Sequence, residues 1–130
     1  MRLQKLVYYC QAWSLVWDEE PIFYEKIEAW SGGPVVKELY DKHRGMFKVD
    51  WSTFMLGDSS KLNKEQKDTV DNVLEYYGNK TAQWLSDLTH MEEPWKKARD
   101  RDGLNVGVRG NAEILLSDMH EYYSGLIPKE

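Results

Sequence analysis

Three histidines, one cysteine and an adjacent pair of glutamates are the side chains of this 130-residue chain best suited to acid–base, nucleophilic or metal chemistry. His43, His90 and His120 fall in three separate segments, and Cys10 stands far from all of them. Zinc needs three or four His, Cys or carboxylate ligands at compatible spacing. No segment supplies that set, so no metal and no cofactor are expected. His90 is the one base with carboxylates close by, Glu92 and Glu93. The trio suits proton transfer, but general acid–base sites draw on distant residues and no third member is visible. The plainer reading has His90 closing a helix by bonding its last carbonyls. Cys10 falls on an apolar stripe, where a thiol acts as a small hydrophobe. No serine occupies a Gly-x-Ser-x-Gly turn. Gly32-Gly33-Pro34 ahead of a predicted helix looks like an anion-binding helix start. Pro34, however, removes one donor, and no Lys or Arg accompanies the loop until Lys37. The residues alone therefore give no catalytic set.

Composition narrows the classes further. There are 17 Lys+Arg against 22 Asp+Glu, a formal net charge of −5, which opposes a phosphate-binding surface and so excludes nucleic acid as the expected partner. One cysteine permits no internal disulfide. No apolar run approaches the roughly 18 residues of a membrane span, and the first residues lack the continuous apolar core of a signal peptide. A soluble, cytoplasmic chain is expected. The aromatic content is skewed, with 6 Trp and 8 Tyr against 3 Phe. Trp and Tyr favour sites with one end buried and one end hydrogen-bonded, and they are enriched at partner surfaces.

The elements that must position these residues are mostly helical. Leu3, Leu6, Val7, Cys10, Trp13, Val16 and Trp17 recur at spacings of three and four and predict an amphipathic helix over Arg2–Trp17, with Gln4, Lys5, Gln11 and Ser14 off its stripe. Pro21 ends it. Ile22–Trp30 is rich in β-branched and aromatic residues and predicts a short strand or extended connection. A helix is expected from Pro34 to His43, because proline suits a first helical position. Residues 45–60 show no sustained period and read as a packed loop, with a short strand near Phe47–Val49. Asn63 and Gln66 carry the spacing of a reciprocal capping box, and Gly78 is placed for a left-handed stop. Thr81 caps the next helix. Pro94 falls in the first turn of another, capped by Glu92 or Glu93. Residues 102–111 read as loop, and a last helix is expected from Ala112 to Ser124. The expectation is one domain over 1–130, mainly α with minor β: five to six helices and a short β-hairpin confined to 22–50.

Three segments together resemble a known family. Leu3 to Leu6, Tyr8, Tyr9, Gln11 and Trp13 match a Leu-Gln-Lys-Leu helix with paired Tyr and a later Gln-x-Trp. Glu28, Ala29, Trp30, Gly33, Pro34, Val35 and Tyr40 match a Glu-Ala-Trp stretch leading to Gly-Pro-Val. Leu88, Thr89, His90, Glu92, Pro94, Trp95, Ala98 and Arg99 match Leu-Thr-His-x-Glu-x-Pro-Trp and its sequel. The stretch EQKDTVDNVLEYYG resembles the middle helix, and Met119, Tyr122 and Tyr123 match the end loosely. The set resembles the Panacea domain of SocA-like antitoxins and phage-associated proteins. That pattern carries a further helix ahead of the Leu-Gln-Lys-Leu helix, which Met1 almost abuts here: either the true start lies upstream or one helix is absent, and in the second case apolar surface on Leu3–Trp17 is expected to meet a dimer partner or a toxin.

The resemblance implies an antitoxin-type interaction domain, not an enzyme, that binds and neutralises a cognate toxin encoded nearby. It leaves room for a homodimer. An acidic chain would also steer a basic toxin toward it. Gln4, Lys5, Gln11, Trp13, Trp30, Gly33, Pro34, Tyr40, His90, Glu92, Pro94, Trp95 and Arg99 are read as fold-defining motif residues. Tyr8, Tyr9, Trp17, Trp51 and Trp84 are the aromatic residues expected at a partner surface. Two alternatives stand beside this reading. One is a ligand-binding or enzymatic cleft around His90, Glu92, Trp95 and Arg99. The other is an adaptor that delivers a bound partner to a protease.

Overall fold

A computed structural model of the chain describes residues 2–43, 63–105 and 108–126. Helix α1 spans Arg2–Trp17 and leads to the hairpin β1 (Ile27–Trp30) and β2 (Gly33–Val36). Then come α2 (Lys37–His43), α3 (Lys64–Tyr77), α4 (Ala82–Met91), α5 (Glu93–Arg101), β3 (Ala112–Ile114) and α6 (Leu116–Ser124). The architecture is mainly α with a small three-stranded antiparallel sheet in the order β2-β1-β3.

Helix α1 is the axis of the core. It packs on α3, α6, β2 and α4, so it is covered on nearly every side rather than on one stripe. The polar positions expected to face away, Gln4, Lys5, Gln11 and Ser14, are therefore buried as well. Tyr9 stacks on Tyr77 at 4.2 Å while Asp18 accepts from Thr69 Oγ1 at 2.7 Å, so α1 and α3 run antiparallel.

Several local expectations hold. The capping box is present: Asn63 accepts from the Gln66 amide and donates its own amide to the Gln66 side chain. Each bond satisfies a donor that the first helical turn leaves orphaned. Thr81 caps α4 through the Trp84 amide.

Other expectations do not hold. Pro34 opens no helix. It lies in β2, where Ala29 is its opposite residue, and the helix starts only at Lys37. β2 is an edge strand, so its outer face needs no N–H from proline, and Val35 and Val36 suit extended backbone. Strand content is not confined to 22–50 either. Ala112–Ile114 pairs with β1 in the register Ile27↔Ile114, and three residues are too few for periodicity to separate a strand from a helix start. Gly78 ends α3 at φ −65°, a right-handed value. Glu92 is the N-cap of α5 but makes no side-chain cap, because its carboxylate turns inward. The strand expected at Phe47–Val49 and the residue Trp51 lie outside the described residues.

Candidate functional site

The motif residues converge on the β1–β2 hairpin. Arg99 Nη1 donates to the Ala29 carbonyl at 2.9 Å, and Trp95 Nε1 to the Trp30 carbonyl at 2.8 Å. His90 Nε2 faces the Ser31 carbonyl at 2.8 Å, Ser86 Oγ donates to the Gly32 carbonyl at 2.9 Å, and Lys5 Nζ reaches the Pro34 carbonyl at 3.3 Å. Carbonyls at 29, 30, 31, 32 and 34 are thus each met by a side chain from α1, α4 or α5. The Ser31 and Gly32 carbonyls belong to the turn and have no strand partner; leaving a buried carbonyl unpaired costs about 1–3 kcal/mol.

Gln4 completes the clamp on the outer edge of β2. Its Oε1 accepts from the Val36 amide at 2.9 Å and its Nε2 donates to the Val36 carbonyl at 3.3 Å, the two bonds that a neighbouring strand would make. Pro34 and Val36 share parity and turn their polar groups the same way, so the proline's missing N–H falls on the edge where α1, not a strand, is packed. Gly33 is required at this point. Its φ is +120°, and a Cβ there would sit 2.7 Å from Lys5 Cε and 3.2 Å from Thr89 Oγ1.

Glu92 forms a second buried node. Tyr9 and Tyr123 hydroxyls both donate to its Oε1 at 2.7 Å. The Tyr8 and Tyr123 hydroxyls are 3.1 Å apart. The single Tyr123 proton goes to Glu92, so Tyr8 supplies the proton of that contact. Burial pushes the Glu92 carboxyl above its ordinary value, against the two phenol donors that favour the anion. Burial, with Glu92 nearby, also raises the Tyr9 and Tyr123 phenols. Lys5, buried with a carbonyl for its partner, is lowered to about 8 by desolvation. Cys10 is fully buried and its thiol is pushed up to about 12 by burial, so it remains a thiol at neutral pH.

The four residues of the expected cleft are therefore engaged inside the fold. His90 does not bond Glu92. Its Nδ1 faces the Ser86 carbonyl at 2.6 Å and its ring contacts Trp95 at 4.2 Å. Arg99 lies over the Trp95 ring at 5.1 Å, and its Nη2 pins the loop after α5 through the carbonyls of Asn105, at 2.9 Å, and Val108. Pro94 is buried in the first turn of α5, as expected for a residue whose missing N–H matters least there. Among the described residues no group of three His, Cys, Asp or Glu side chains is arranged to hold a metal ion.

The aromatic residues divide differently from expectation. Tyr8 and Tyr9 are inside, 1% and 0% exposed, because α1 is surrounded and neither of two adjacent positions faces water. As folded, neither offers a surface to a partner. Trp17 and Trp84 are exposed, at 46% and 41%. Trp13 is half-buried and donates Nε1 to the Tyr77 hydroxyl at 3.2 Å; Trp30 packs edge-on against Tyr40 at 4.9 Å. Gln11 ties the chain after α1 back onto the helix, accepting from the Ile22 amide and donating to the Phe23 carbonyl. Sequence reasoning missed Ser86 and the pairing of Tyr123 with Glu92. Ser86 stands four residues before His90, a spacing that shares one helix face, and that was the available signal.

No helix among the described residues is long and apolar enough to cross a membrane. No curated protein matches the chain, and no solved structure matches it. The family model described as "Antitoxin SocA-like, Panacea domain" matches residues 3–96, taking in α1, the hairpin and the segment from Leu88 to Trp95 that clamps it. The chain belongs to the SocA-like antitoxin, Panacea domain family.

Proposed function

We propose that the chain acts as a single-domain, antitoxin-type interaction module in the cytoplasm, neutralising a cognate toxin encoded nearby by direct binding rather than by catalysis. The observation that carries this reading is the family match over residues 3–96. Membership supports an antitoxin-type role. The site geometry adds support from a second direction: His90, Glu92, Trp95 and Arg99 each have their polar atoms turned to carbonyls or phenols of the same chain. Nucleic acid and membrane are no part of the reading, given a net charge of −5. Of the aromatic residues expected to meet the partner, Trp17 and Trp84 are the exposed ones among the described residues.

Co-expression with the product of the adjacent reading frame tests this. Rescue of growth together with co-purification is the expected result; no rescue and no co-purification sinks the reading. His90→Ala separates binding from catalysis. The variant is expected to lower the melting temperature by several degrees, because the Ser31 carbonyl loses its partner. Loss of a catalysed reaction with an unchanged melting temperature would favour an enzymatic cleft instead.

A further inference from the structure

Resting on the antitoxin-type reading, we infer that the C-terminal corner of α1 is the docking surface for a basic segment of the partner, an arginine side chain stacking on Trp17 beside the carboxylates of Glu19 and Glu20. The two exposed indoles are unequal. Trp84 already has a cation of its own, with Lys80 Nζ 4.9 Å from its ring. Trp17 has none among the described residues. It stacks on Trp13 at 5.0 Å, and Trp13 is in turn fixed by its bond to Tyr77. The exposed ring is thus held in place before any partner arrives, which lowers the entropy lost on binding.

Charge marks what the ring is complementary to. Asp18, Glu19 and Glu20 follow Trp17 directly, at the negative end of the helix dipole, and the last turn of α1 holds no basic residue. Asp18 is held by Thr69. Glu19 and Glu20 make no side-chain hydrogen bond or ion pair among the described residues, and both are exposed. An indole face with adjacent carboxylates suits guanidinium, which stacks on aromatic rings and pairs with carboxylates through its planar fork.

The test uses a labelled amphipathic peptide of leucine and arginine, the same peptide with glutamate for arginine, and a scrambled arginine control. Binding to the full chain is followed by anisotropy at two salt concentrations. The arginine peptide and its scrambled form, which carry the same guanidinium groups, are expected to bind at least tenfold more tightly than the glutamate one, with added salt weakening that binding. Trp17→Ala and the pair Glu19→Gln with Glu20→Gln are each expected to weaken it about tenfold, while Trp84→Ala leaves it unchanged. Equal loss in Trp84→Ala, no loss in Trp17→Ala, or preference for the glutamate peptide overturns the inference. Concentration-dependent dimerisation lost in Trp17→Ala would also overturn it, assigning the corner to a second copy. Far-UV circular dichroism of each variant separates misfolding from lost contact, and Trp17→Phe, which keeps a ring, serves where Trp17→Ala fails to fold. Growth rescue keeps the two readings apart: if wild type and Trp17→Ala rescue equally, the antitoxin role stands and this surface falls. If wild type rescues nothing, the antitoxin role falls whatever the peptides do.

Discussion

The two ends of α1 use polar residues in opposite ways. At the start, Gln4 and Lys5 are buried and answer the backbone of β2, 29 and 32 residues along the chain. At the end, Trp17, Glu19 and Glu20 are exposed, and neither glutamate is paired with a described residue. The contrast separates two kinds of residue along one helix and the bend that follows it. Side chains whose partners lie in the same chain hold the fold; side chains left over at the surface are available for other molecules.

Substitutions at the buried end and its neighbours should produce the larger losses. Glu92→Leu leaves the Tyr9 and Tyr123 hydroxyls without an acceptor and should lower stability by roughly 3 kcal/mol in urea unfolding. Glu92→Gln keeps an acceptor, and its loss should be less than half of that; equal losses would show that the charge, not the bonding, matters. Gln4→Leu orphans both polar groups of Val36 and should cost about 2 kcal/mol by the same measurement.

Lys5→Met probes the same end through pH. The folded Lys5 is lowered to about 8 from 10.5, so between these values the unfolded chain binds a proton that the folded chain has released. Stability contributed at this site therefore rises as pH rises from about 8 toward 10.5. The stability of wild type minus that of Lys5→Met should accordingly increase over that range, and a flat difference would contradict the shift. Tyrosine ionisation cancels in this difference. At pH 7 the substitution should stay within about 1 kcal/mol of wild type, since an apolar replacement relieves a buried charge while leaving one carbonyl unpaired. Glu92 has the opposite sign. Its raised carboxyl keeps a proton that the unfolded chain loses, so its contribution falls as pH rises above 4.5.

At the exposed end a substitution should even stabilise. Glu19 sits at φ +56°, in the left-handed region, where a side chain is strained and glycine is not. Glu19→Gly should raise stability by roughly 0.5–1 kcal/mol in thermal melts. A loss of stability there would mean that Glu19 is held by contacts within the chain and would erase the contrast between the two ends.

Legibility in the sequence followed the distance to each residue's partner. The capping box of Asn63 and Gln66 and the cap at Thr81 were readable because both partners lie within one turn. So was the helix over Arg2–Trp17, whose pattern is local; the chain break at Gly33 was legible too, but not the strand after it, because Pro34 suits a helix start equally well. Gln4 and Lys5 lie off the apolar stripe, and their burial was not legible because nothing nearby announces that β2 will cover them. Tyr8 and Tyr9 were assigned to a partner surface on the assumption that α1 has an outside, and α3, α6, β2 and α4 leave it very little. β3 was hidden because its pairing with β1 spans more than 80 residues in its register of Ile27 with Ile114. The motif that carried the family resemblance was legible as a pattern, but its meaning was not. Only the assembled hairpin shows that Lys5, His90, Trp95 and Arg99 address carbonyls of one hairpin, those of Pro34, Ser31, Trp30 and Ala29.

Cys10, sealed in the middle of α1, gives the molecule a built-in clock. A lone thiol with no exposure reacts with a maleimide or a disulfide reagent only during the intervals when the helix leaves its surroundings. Under native conditions its modification rate therefore counts openings of the core. Partner binding that stabilises the folded chain must slow that count, whichever face the partner uses.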